Sequence, residues 1–358
     1  MRLRERKALR VPVFLSLALL ANMGVSQDVR PIRDDVGFCW DTLQMNRLIS
    51  YLESREETIA DPHPIVAGIS PHDDYLYAGR VYFPLFRALK TKEVVIFGVT
   101  HGTVRKEIGN PQNVVIFDDF ALWKGVRGDV DPSPLRSYLR TLLPPGMVQT
   151  NNTAQGLEHS IEALLPFVQY YNPAIRITPI MVTAMPFETM DAITDTLSAL
   201  IARYALDRGL VLGSDIAFLI SSDANHYGAD FQNTPFGVDV HAHEQGTSLD
   251  LKLAGTYLTG TLSREGIRDL TLQLCGKTFT DPSNALWCGR YSVPFGMLAA
   301  LKTVKRMSGS GLRGTMLRYS DTYSEGVLPL TRTGMGLTAP FSLKHWVGFF
   351  SIAYSIAP

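Results

Sequence analysis

Three short stretches place groups that bind metals or move protons directly after runs of small and apolar residues. "GIS" runs into Pro71-His72-Asp73-Asp74, "VVIFGV" into Thr100-His101-Gly102, and "AFLISS" into Asp223-Ala224-Asn225-His226. Neutral imidazole is the commonest side-chain ligand for transition metals and exchanges protons near neutral pH. One histidine in such a place is more often a satisfied structural residue than a ligand. Three in equivalent places ask for a shared cause. Cys288, in "LWCGRYSVPFG", is the candidate thiolate, a group that adds affinity for iron, copper or zinc. Gly289 and Pro294 put it in a turn entering a helix near Gly296, and a helix N-terminus favours the thiolate. A small buried hydrophobe is the plainer interpretation of the same cysteine.

The other polar clusters rank lower. Glu158 and His159, ahead of a helical run, either cap it or line the same crevice. His241 and His243 open a polar run and are expected in solvent, while His63 and His345 read as structural. No GxSxG, HExxH, GxxxxGK[ST] or strand-following GxGxxG is present, so the usual serine hydrolase, zincin, P-loop and dinucleotide signatures are missing.

The elements that would position these groups alternate. "IVAGIS" (65–70), "EVVIFGVT" (93–100), "IRITPIMV" (175–182) and "IAFLISS" (216–222) are short, continuously apolar and β-branched, as strands buried on both faces should be. Helical spacing appears over 160–171, 188–206, 263–274 and 296–307, and closing strands over 314–322 and 345–355. This rhythm predicts an α/β fold, a single domain with a mainly parallel or mixed sheet flanked by helices. In such folds ligands sit beyond the carboxyl ends of the strands, where the three histidines fall.

Charge adds an exclusion. The chain has 34 basic and 34 acidic side chains, leaving no net field for nucleic acid or an anionic membrane. The basic start "MRLRERKALR", followed by "VPVFLSLALLANMGVSQ", matches a secretory signal peptide over 1–26, leaving a domain over 27–358 with no stable membrane span. A periplasmic or extracellular location is then expected. Three cysteines in such a compartment leave two possibilities open: a Cys39–Cys275 disulfide that spares Cys288, or free thiols.

The blocks "SPHDDYLYAGRVYFPLFRAL", "VVIFGVTHG", "LEHSIEALLPFVQYY", "ITPIMV", "SSDANHYG" and "CGRYSVPFGMLAAL" resemble, in order, those of the Memo family, also called AmmeMemoRadiSam system protein B. The resemblance implies a fold like that of the class III extradiol dioxygenases, with His72, His101 and Cys288 as metal ligands. It also implies His226 as an acid/base histidine with Asp223 beside it. Iron is the first expectation, copper or zinc the alternatives. The implied function is a metal-dependent, dioxygenase-like oxidoreductase acting on a small molecule; a non-catalytic metal-binding protein and a peptide-binding module are the alternatives. Asp73 and Asp74 depart from the small residue and glycine usual in the family. At ~4 Å and an effective dielectric of 20 a carboxylate attracts a unit cation by roughly 4 kcal/mol before desolvation, enough to alter metal preference or pocket access, with an Asp in the metal's shell as a further option.

Overall fold

Runs that are apolar without alternation belong in strands covered on both faces, and four of them make the middle of the sheet. The computed structural model describes residues 28–56, 64–276 and 285–357. The expected signal peptide and His63 lie outside the described residues. In chain order the strands are β1 (Val29–Arg30), β2 (Ala67–Ser70), β3 (Glu93–Gly98), β4 (Val115–Phe117), β5 (Leu122–Trp123), β6 (Asp131–Pro132) and β7 (Val148–Thr150). They continue with β8 (Arg176–Val182), β9 (Ile216–Ser221), β10 (His226–Gly228), β11 (Gly260–Thr261), β12 (Leu312–Asp321) and β13 (His345–Ile356). The helices are α1 (Thr42–Arg55), α2 (Tyr75–Ala88), α3 (Gly102–Glu107), α4 (Pro134–Leu142) and α5 (Asn152–Leu157). After them come α6 (Leu165–Tyr171), α7 (Phe187–Asp207), α8 (Val240–Tyr257), α9 (Arg264–Cys275) and α10 (Ser292–Ser308).

Strands β1 and β5 form a separate ribbon. The others form one sheet ordered β11-β12-β13-β2-β9-β3-β8-β4-β7, with β10 paired to β13 and β6 to β8. Its centre, β2-β9-β3-β8, is parallel, and β13 on one side and β4 on the other run antiparallel to it. Ser70 pairs with Ser221 and Phe97 with Ile220, so β2, β9 and β3 end side by side. Successive residues of β3 feed opposite faces: Val95 and Phe97 pack with α4, α7, α9 and α10, while Val94 and Ile96 pack with α1, α2 and α6. Gly296 lets α10 settle onto this sheet, since a Cβ there would lie 2.5 Å from Ile220 Cγ1. Asp41, Ser133, Asn151, Asp239 and Ser263 cap α1, α4, α5, α8 and α9 with side-chain oxygens.

Most expected elements are present; the four central strands are one or two residues shorter than expected, while β12 starts two residues earlier and β13 ends one later. The run 160–171 opens as a 3-10 turn, Glu162–Leu164, before α6. The closing run 345–355 lies in strand β13, and no described helix is long and apolar enough to cross a membrane. Cys39, Cys275 and Cys288 are all free thiols. Cys39 and Cys275 pack on opposite faces of the sheet, which rules out their disulfide. His241 is exposed as expected. His243 is not: its ring packs edge-on to Trp346 at 4.9 Å, and its Nε2 lies 3.3 Å from an Asp321 carboxylate oxygen.

Candidate metal centre

Each ligand candidate reaches the pocket because its strand stops. His72 lies two residues past β2, His101 three past β3 and Asp223 two past β9, all at the level carboxyl ends. Cys288 arrives from the segment before α10. Gly289 presses on Ser222, where a Cβ would sit 2.2 Å from the hydroxyl oxygen, so a larger residue would push Cys288 away. The two segments are tied together. His226 N donates to Leu286 O at 3.0 Å, Leu286 N to Asn225 Oδ1 at 3.0 Å, and Asp223 N to Cys288 Sγ at 3.1 Å.

One ligand atom each from His72, His101 and Cys288 falls in a group whose members all lie within 4.8 Å of one another. Cys288 Sγ is 3.3 Å from His72 Nε2, and the two imidazoles stand edge to face with centroids 5.2 Å apart. Their tautomers follow from their partners. Ser221 gives its hydroxyl proton to Ser160 O at 2.6 Å, so its oxygen accepts from His72 Nδ1 at 2.7 Å. Glu158, as a carboxylate, can only accept, and takes the His101 Nδ1 proton at 2.8 Å. In their neutral forms both rings therefore carry the proton on Nδ1 and keep the Nε2 lone pair for the pocket. Second partners of this kind orient metal-binding histidines.

Burial and these contacts set the charges. Burial pushes the Glu158 carboxyl up, but the charge and hydrogen bond of His101, with His159, outweigh it and hold the group well below the usual carboxylate range. Burial would lower His101, yet Glu158 holds it raised. His72 is lowered by burial and by the His101 and His159 charges. Burial takes His226 down to about 4, so it is neutral at pH 7. The expected thiolate stabilisation at Cys288 is not found in the protein alone: burial and the Asp223 charge push this thiol up, and its Sγ lies four residues ahead of α10. Burial also raises Asp223, to about 7, against the lowering effect of the His72 backbone N–H.

The donors line a cavity of about 530 Å³ that also holds His159, His226, Phe231 and Trp287. His159 belongs to the crevice, stacked on His101 at 4.7 Å, and Glu158 serves as the positioning carboxylate. His101, Glu158 and His159 form a second possible ligand group, and Asp223, His226 and Cys288 a third. Neither Asp73 nor Asp74 enters a ligand group among the described residues, so the option of an Asp in the shell finds no support there. Asp74 is engaged elsewhere. Its Oδ2 accepts from Thr338 N at 2.6 Å and Thr338 Oγ1 at 3.0 Å, clasping the 334–339 loop to the cavity mouth. Asp73 Oδ1 takes the Asp74 N–H at 2.6 Å. Position alone did not reveal Ser221, Phe231, Thr338, Arg105 or Arg290. Only Ser221, at the end of a core strand beside another candidate, carried a signal that could have found it.

Fold and site together define an α/β protein whose sheet ends gather two imidazoles and a thiol at the floor of a cavity. The profile of the Memo-like protein family matches residues 42–325, and the chain belongs to that family. It is similar to a MEMO1 family protein of Pyrobaculum arsenaticum, with 27% identity over 72% of this chain and 82% of the relative. A MEMO1 family protein of Methanosarcina mazei is 25% identical over 78% and 85%, and one of Pyrococcus abyssi 27% identical over 59% and 71%. Asp34, Phe38 and Thr338 line the cavity from outside the matched residues.

Proposed function

We propose that His72 Nε2, His101 Nε2 and Cys288 Sγ hold a transition metal, iron first with copper or zinc as alternatives, in a metal-dependent oxidoreductase acting on a small molecule. The observation that carries this is the convergence of three donors from distant parts of the chain, with both imidazole Nδ1 atoms already tied back. The donor set suits a borderline-soft ion. When bound, such a metal would supply Lewis acidity and, if iron or copper, redox capacity. The residues supply the rest. Cys288 releases its proton on metal binding, so affinity rises with pH. His226, neutral at pH 7 and with Nδ1 turned to Ala224 O at 3.3 Å, presents Nε2 as a base for a substrate proton. Asp223 holds the His72 backbone N–H at 2.9 Å and keeps that turn in place. A chamber of this size beside the donors favours catalysis over simple storage.

Elemental analysis of anaerobically purified protein tests the assignment. Wild type and His226→Ala should carry near-stoichiometric metal, while His72→Ala and Cys288→Ala should lose most of it. Equal metal in all four would remove the centre. Tight copper retention with no substrate-dependent oxygen uptake would instead mark a sequestering protein, and peptide capture indifferent to metal removal a binding module.

A further inference from the structure

The cavity is electrically divided. Asp34, Asp73, Asp74 and Asp223 line part of it, and the Asp73 carboxyl is raised by burial and then by the other three. Two guanidiniums, Arg105 and Arg290, line it as well, and the chain fixes both beside the donors: Arg105 follows His101 by four residues on α3, and Arg290 follows Cys288 by two. Both are half-buried. Arg105 donates to Thr100 O at 2.9 Å, and the Arg290 guanidinium lies 5.5 Å from the Tyr291 ring centroid. Both side chains line the same cavity, and burial, then the charge of Arg290, lowers Arg105. Among the described residues neither is ion-paired with an Asp or Glu. Glu158, the carboxylate acting on Arg105, is committed to His101.

We propose that Arg105 and Arg290 form an anion subsite that holds the carboxylate of a small substrate, whose apolar body packs on Leu286 and Trp287 and whose far end faces the donor cluster. Two neighbouring guanidiniums without a carboxylate repel each other, and a ligand carboxylate relieves this while matching the planar fork of each arginine. Leu286 and Trp287 lie in the same segment as Arg290 and Cys288, so one short stretch supplies the apolar wall, the cation and the thiol. This substrate class rests on the cavity being a small-molecule site, and its test is run without metal so that the two ideas can fail separately.

Benzoate and benzyl alcohol, similar in shape but one anionic and the other neutral, are titrated calorimetrically into metal-free full-length protein. Wild type should bind benzoate at least tenfold more tightly. Arg290→Gln and Arg105→Gln should each reduce benzoate affinity by about tenfold or more, Arg290→Lys by less, and none should alter benzyl alcohol binding. Should Arg105→Gln fail to fold for want of its Thr100 contact, Arg290→Gln and the wild-type comparison still decide. Equal binding of the two probes, wild-type benzoate affinity in both glutamine variants, or no benzoate binding at millimolar concentration would each overturn the subsite. Metal content of wild-type and Cys288→Ala protein as purified, before any metal is removed, reports independently on the centre.

Discussion

Ser221 and Glu158 do the same work on different imidazoles. Each accepts an Nδ1 proton and so decides which nitrogen faces the pocket, but they differ in charge. Glu158 is the stronger determinant, because its carboxylate also takes the backbone N–H groups of His101, His159 and Ser160 at 2.9–3.0 Å. A glutamine cannot repeat this, since its NH2 would face one of those donors. Glu158→Gln should therefore weaken metal binding by about 10–100-fold in a chelator competition while leaving stoichiometry intact at saturating metal. Unchanged affinity would mean that Glu158 only holds the loop. The histidines stood out in the sequence because strand ends in α/β folds carry chemistry, whereas Cys288 follows no strand among the described residues and was implied as a ligand only by the family resemblance. Glu158 left two interpretations open, because its segment reads equally well as a helix cap; only tertiary structure brings it within 2.8 Å of a ring 57 residues earlier.

Helix α8 shows what element-level patterning can and cannot reveal. Its opening "VHAHEQG" reads as solvated, and His241 is exposed, yet Asp250 on the same helix is fully buried. Its carboxylate accepts from Trp287 Nε1 at 2.7 Å, Tyr319 Oη at 3.0 Å and Asn225 N at 3.2 Å, joining α8 to β12 and to both segments behind the site. Burial outweighs these donors and raises the carboxyl to about 7. The sign follows from proton binding. An acid whose folded pKa lies above its unfolded value, ~3.9, holds a proton in the native state that the unfolded chain releases, so stability falls as pH rises from about 4 through 7. Urea unfolding should show wild type losing stability between pH 5 and 8, with Asp250→Asn less stable at pH 5 by about 1–3 kcal/mol and the gap narrowing toward pH 8. Parallel pH slopes in the two proteins would dismiss Asp250 as the source. Helix α2 escaped sequence reading for a related reason: it buries 11 of its 14 residues, so no polar face exists to reveal a helical period.

At the scale of the molecule, the parallel centre was legible because strands covered on both faces write themselves as continuous apolar runs. The cavity's outer wall was not. Residues 34–38 and 334–339 are irregular, and they meet through Gly336 N donating to Val36 O at 2.7 Å and through the Asp74 clasp, contacts that no local pattern encodes. The N-terminal segment is fastened more deeply, where Arg30 pairs with Glu162 and donates to Gln155 O at 3.0 Å. Against this frame the proposed ligands, residues 72, 101 and 288, come from β2, β3 and the approach to α10, so one ion would join three elements far apart in the chain. Anything bound to the folded state alone stabilises it by mass action, about 2.7 kcal/mol when free ligand stands at a hundred times Kd. For a chain of this size that is on the order of 5 °C in Tm. Differential scanning calorimetry should therefore record a metal-dependent rise in Tm for wild type that grows with the logarithm of free metal and reverses with chelator. His226→Ala should keep that rise and Cys288→Ala should lose it. A shift that survives in Cys288→Ala would place the stabilising ion somewhere other than the ends of β2 and β3.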